Sequence, residues 1–182
     1  MQHTTIVLFA SLLAIAPPDA ANQLHETGVA AHLERCLGGA MRSYDAALTL
    51  VPPVAPTAEQ RARVLRLAPR VFVNAREPFG LRDAAAIIHP TEPIIAYHLF
   101  WGDDIDFPDD SEPSDHEVLW VRHDADGQLT AVATLFHGRV VNMPAEVIAR
   151  IRKSGSRPRI DAQWGKHGLM PEGWADLTID TE

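Results

Sequence analysis

The pattern of apolar and polar positions divides the chain into a helical first third and a strand-rich remainder. From Asn22 to Leu50 the spacing is helical, with Val29, His32, Leu33, Cys36 and Leu37 on one stripe and Gly38-Gly39 expected to break it. Residues 51–56 form a Pro-rich connector. Thr57 with Gln60 three residues later makes a capping-box signature, predicting a helix from Ala58 to Leu67 that Pro69 ends.

After Pro69 the period becomes that of strands. Arg70 to Asn74, Ile94 to Trp101, Glu117 to His123, Leu129 to His137 and Arg159 to Trp164 are the predicted strands. One helix interrupts them, from Met143 to Lys153, with Asn142 as its cap, Pro144 in its first turn and Gly155 after its end. Val147, Ile148 and Ile151 mark its apolar side. The fold expected is α+β and mainly β: an antiparallel β-sandwich with N-terminal helices and one helix near 143–153. No internal repeat or low-complexity segment is present.

The hairpin at Asp124-Ala125-Asp126-Gly127 sets the predicted register. A three-residue turn with Gly127 in the left-handed region places Asp124 opposite Gln128, Glu117 opposite Leu135 and Asp115 opposite His137. Asp115, Glu117 and His137 then share one face, above an apolar stripe of Leu119, Val121, Ala131, Ala133 and Leu135. A turn one residue longer or shorter would instead put His137 on a face with His116.

A length of 182 residues, 46% of them hydrophobic, suits one substantial core. The expected organisation is a signal peptide over 1–20, a helical segment over 21–68 packed on the core, and a β-sandwich over 69–182 that carries the site. Ile6 to Ala16 is an apolar run too short to cross a bilayer, followed by Pro17-Pro18 and small-residue cleavage sites. Export to the periplasm or the medium is expected from it, although Met1 to Thr5 lacks the usual basic residue, and an apolar helix packed on the domain is the alternative reading. A formal net charge of -8 gives phosphate backbones no long-range attraction and argues against nucleic acid as a partner. Cys36 is the single cysteine, so neither an internal disulfide nor a cysteine metal cage can form, and its Ala/Leu-rich surroundings imply a small buried residue.

The candidate chemistry lies in the acidic loop Asp103 to Glu112, followed at once by Asp115-His116-Glu117. So many carboxylates in so short a span repel one another unless they are solvated or bridged by a cation. The candidate metal ligands are Asp104, Asp106, Asp115, His116 and Glu117, and an oxygen-rich set of this kind suits Mg2+ or Ca2+. His137 and His167 are the candidate proton-transfer groups, the second because it lies between Gly165 and Gly168 in a turn whose backbone can approach a ligand. His98, within an apolar strand, reads as a core histidine, and Trp101, Trp120 and Trp164 read as core.

A family resemblance attaches to the same residues. The order of the aromatic strand Ile94 to Trp101, an acidic loop, Asp115-His116-Glu117, Phe136-His137-Gly138 and Trp164-Gly165-Lys166-His167-Gly168 resembles the necrosis- and ethylene-inducing-peptide-like proteins. More loosely, it resembles vacuolar-sorting-related proteins with an Asp-Trp-Glu motif. The likeness covers Pro69 to Trp174. It implies a secreted β-sandwich cytolysin, similar in fold to actinoporins, that binds sphingolipid head groups through a divalent cation. By the family motif Gly-His-Arg-His-Asp-Trp-Glu, Asp115 and Glu117 take the carboxylate positions and Asp104 the upstream aspartate. Pro113-Ser114 stand where the motif has histidines and His116 where it has tryptophan, so the missing ligand falls to His116, to His137 or to none.

Three function classes follow. The first is a head-group-binding or membrane-acting protein whose cation bridges the carboxylates to a small polar ligand, a glycan or a lipid head group, with peripheral membrane contact. The second is a metal-assisted hydrolase with His137 or His167 as acid/base. The third is a module that the metal only stabilises. The chain has no Gly-x-Ser-x-Gly elbow, phosphate-binding glycine loop or His-Glu-x-x-His helix.

Overall fold

The computed structural model describes residues 18–105 and 115–177. Two compact units divide between Ala55 and Pro56. The first is a helical hairpin of α1 (Pro18–Leu33) and α2 (Leu37–Leu50). Its break falls earlier than the glycine pair suggests: Arg35 takes a left-handed φ of 58°, and Gly38 and Gly39 lie inside α2. Close packing explains this use of glycine, because a Cβ on Gly28 would come within 2.5 Å of the Tyr44 ring and one on Gly39 within 3.0 Å of Cys36 Sγ. Cys36, expected to be buried, sits at this break and is exposed.

The second unit opens with α3 (Ala58–Leu67), where the Thr57 hydroxyl accepts from Gln60 N and the Gln60 side chain accepts from Thr57 N, as the capping box predicts. Val64 and Leu67, one helical turn apart, face the core, while Arg63 pairs with Glu59 on the solvent side. Strands β1 (Arg70–Phe72), β2 (Leu81–Ile88), β3 (Ile94–Trp101), β4 (His116–His123), β5 (Leu129–Phe136), β6 (Arg139–Asn142), β7 (Arg159–Ala162) and β8 (Leu169–Pro171) form two sheets. Five strands run antiparallel in the order β2-β3-β4-β5-β6; three form the second sheet, β1-β7-β8, in which β1 and β7 are parallel. Helix α4 (Ala145–Ser154) buries Val147, Ile148 and Ile151 and ends at Gly155 with φ 66°, as its sequence predicts. The expected cap Asn142 instead closes β6, and Pro144 O accepts the first helical N–H groups.

The core lies on the inner face of the five-stranded sheet, where Ile95, Tyr97, Leu99, Leu119, Val121 and Val132 meet Ile160 and Leu169 of the second sheet and the apolar sides of α3 and α4. Mainly β architecture with N-terminal helices and one late helix is therefore as expected. The register is not. Asp124 N donates to Gln128 O and Gly127 has φ 72°, so the turn itself is the predicted one. Beyond it the ladder shifts: His123 faces Leu129 but Arg122 faces Ala131, which leaves Thr130 as an extra residue. Leu119 thus faces Thr134 rather than Ala133, and the buried face of β5 is Leu129, Val132 and Thr134 instead of Ala131, Ala133 and Leu135.

Candidate functional site

The site forms where four segments meet at one end of the five-stranded sheet: the loop before β2, the loop after β3, the start of β4 and the turn before β8. Backbone bonds tie them together. Trp101 N donates to Asp115 O at 2.8 Å, Gly102 N to Gly80 O at 3.2 Å and Ile105 N to Gly165 O at 2.6 Å. Gly165 has φ 71°, and a Cβ there would lie 2.6 Å from Ile105 Cδ1, so glycine permits this approach twice over.

His167 is the centre of the arrangement. It is fully buried, has φ 54°, and stacks on the Trp101 indole with ring centroids 4.1 Å apart. Its Nδ1 lies 2.8 Å from Asp115 Oδ2, and its Nε2 lies 3.1 Å from Glu77 Oε1, out of line for a full hydrogen bond. The ring thus stands between two carboxylates and is hydrogen-bonded to one of them. Burial acts to raise the Glu77 carboxyl, but N–H donation from Gly165 and Phe79, with His167 beside it, outweighs burial and holds it below the ordinary carboxylate value.

Glu117 faces the same end from the inner side of β4, paired with Leu99 across the ladder. Its carboxyl is pushed up to about 8, first by burial and then by the negative charges of Asp115 and Asp104. Asp104 is half-buried, with Lys166 Nζ 3.3 Å from its Oδ2. Asp104, Asp115 and Glu117 therefore converge closely enough to act on one another electrostatically. Among the described residues, no group of three His, Cys, Asp or Glu side chains is drawn together tightly enough to hold a metal ion.

The remaining expected residues lie elsewhere. Asp106 falls outside the described residues. His116, one residue from Glu117, points to the opposite face because strand side chains alternate; there it shares a 2.9 Å hydrogen bond with His98 and stacks on Phe100. Burial, then the neighbouring His98, holds the His116 ring below the ordinary histidine value, opposed by Asp115. His98 is accordingly a half-buried partner of His116 and not a core residue. His137 does not meet Asp115 or Glu117, because the extra residue at Thr130 moves the ladder by one. With Gly138 it makes the two-residue turn between β5 and β6, both at positive φ, and its Nε2 lies 2.6 Å from Gln163 Oε1.

Glu77 is the site residue that sequence reading missed. A single glutamate in the loop Asn74 to Gly80 carries no local signal of its partner ninety positions away in the chain, about the separation of His167. The adjacent Pro78 and Gly80 mark only a turn.

No protein-family model and no curated protein matches the chain. Among solved structures it is similar to a protein described as a toxin fold for microbial attack and plant defense, at 16% identity and a TM-score of 0.45, over 65% of this chain and 70% of that one. It is similar also to NLPPya in complex with mannosamine, at 15% identity and a TM-score of 0.45, over 66% of this chain and 70% of that one. For NLPPya in complex with glucosamine the values are 16% and 0.45, over 65% and 72%. These are toxin-fold proteins of the necrosis- and ethylene-inducing-peptide-like kind, the kind that the sequence motifs resemble.

Proposed function

We propose that the protein is an exported binding protein in which Asp104, Asp115 and Glu117 hold a divalent cation, Mg2+ or Ca2+, and present it to a small polar ligand such as a glycan or a lipid head group. The observation that supports this reading is the convergence of three carboxylates from two separate chain segments at one end of the sheet, where burial first and then the charges of Asp115 and Asp104 raise the Glu117 carboxyl. Carboxylate oxygen is the donor that hard cations prefer, so the chemistry of the donors suits the ion, and the three must draw closer together to hold it. When bound, the cation supplies a fixed positive charge for anionic or hydroxyl oxygens of a ligand. The protein's own part is to position the carboxylates. His167 holds one oxygen of Asp115 and leaves the other for binding, Lys166 keeps Asp104 within the site, and Glu117 gives up its proton as the three carboxylates draw together. Export belongs to the same reading and is supported by the apolar run Ile6 to Ala16 with Pro17-Pro18 after it.

Calorimetric titration of metal-stripped protein with Mg2+ and with Ca2+ tests the reading, run in two buffers of different ionisation enthalpy. Saturable binding with release of a proton is expected at pH 7, lost in Asp115→Ala and retained in His116→Ala. Equal binding by the parent and Asp115→Ala would remove this site from the function.

A further inference from the structure

The geometry points to a second ligand site, specific for a neutral saccharide, on the face of the three-stranded sheet turned away from the core. Pairing of β1 with β7 puts Arg70 beside Arg159 and Phe72 beside Asp161, while Ile160 between them is fully buried on the other side. Of these outward residues Phe72, Arg159 and Asp161 line a groove of about 370 Å³ with Asn74, Gln163 and Trp164.

Trp164 gives this groove its platform. Half of its surface is exposed, 52%, yet its Nε1–H is fixed by a 3.0 Å bond to Arg76 O, so the indole offers a held apolar face and no donor. The polar groups around it are also engaged at one end only. Asn74 Oδ1 accepts from Arg76 N and Gln163 Oε1 is bonded to His137, which leaves the amide NH2 of each as a donor. Arg159 places both of its bonds on Asp161 Oδ1, leaving Oδ2 as an acceptor. Arg159 Cζ also lies 4.2 Å from the centre of the Phe72 ring, a cation–π contact that adds to its hold beside Asp161.

A pyranose ring matches this inventory. Its C–H face stacks on an indole, and its hydroxyls both donate and accept, as paired amide donors and a carboxylate acceptor require. The charge of Arg159 is balanced by Asp161 at 2.8 Å, so the groove's lining carries no net charge, as suits a neutral sugar. The site is independent of the proposed cation, because none of its residues belongs to the carboxylate set.

The test is NMR titration of the full chain in EDTA, reading the tryptophan indole N–H resonances, with cellopentaose, mannopentaose and a galacturonic acid pentamer as probes. At least one neutral oligomer is expected to shift the Trp164 resonance saturably, with Trp101 and Trp120 little changed. Binding should weaken by about tenfold or more in Trp164→Ala. Because that change could disturb the turn, Asn74→Ala supplies a second check and should weaken binding severalfold with an unaltered spectrum elsewhere. The assignment is overturned if no neutral oligomer moves the Trp164 signal, if the acidic pentamer alone binds, if Trp164→Ala binds like the parent, or if EDTA abolishes binding.

Discussion

Glu117 ties the site's electrostatics to stability. Its carboxyl is raised to about 8 in the folded protein, above the ordinary value of 4.5, so between these limits the folded state holds a proton that the unfolded state has lost. Stability from this group is complete below the lower value and declines as pH rises through the upper one. Glu117→Gln removes the titration, and the variant is expected to gain on the parent as pH rises from 6.5 and to level off above about 8, in EDTA, read as the difference in urea midpoints. A constant difference across that range would show that Glu117 ionises freely. His167 has the opposite character, since its removal strands two partners. Glu77 is 7% and Asp115 18% exposed at the side chain, and taking away the ring between them should cost about 1–3 kcal/mol, as leaving a buried acceptor without its donor does. Chemical denaturation of His167→Ala measures it, and a loss under about 1 kcal/mol would mean that water replaces the ring without cost. Little of this was readable in the chain: Asp104, Asp115 and Glu117 stand out by their density of charge, whereas Glu77 and the burial of His167 arise from contacts between segments far apart in sequence.

At the scale of elements, legibility followed chemistry that is local. The capping box of α3, the left-handed Gly127 and Gly155, and the apolar side of α4 each depend on residues within one turn of one another, and each forms as expected. Strand β2 escaped because Ala84-Ala85-Ala86 shows no alternation and nearly all of the strand is exposed, so burial imposes no period upon it. The shift at Thr130 escaped for a different reason. Nothing in the turn requires it, and it is set by the ladder as a whole, which gains by burying Leu129, Val132 and Thr134, the last donating to Leu169 O at 2.7 Å. The His137-Gly138 turn that follows is an element defined by its backbone. Both residues sit at positive φ, where a side chain costs about 1–2 kcal/mol. Gly138→Ala should therefore destabilise the protein by about that amount in thermal or urea unfolding, although no atom stands within 4 Å of the added methyl group. An unchanged midpoint would show that the turn can adopt another form.

For the whole molecule, the distribution of the core yields a prediction about autonomy. Every member of the buried cluster, from Leu67 to Leu169, belongs to the unit that starts at Pro56, and so do both sheets. The helices α1 and α2 close instead on each other, with Gly28 against Tyr44. A domain of this length that supplies both faces of its own sandwich meets the requirement for independent folding. A fragment comprising residues 56–182 is thus expected to unfold in a single cooperative transition and to keep the dispersed amide spectrum of a β protein. It should also retain whatever cation affinity the parent has, because Asp104, Asp115 and Glu117 with the supporting Glu77, Lys166 and His167 all lie within it. A gradual melt or a collapsed spectrum would mean that the fold of the sheets depends on the helical hairpin, in which case α1 and α2 are structural and not a separate module.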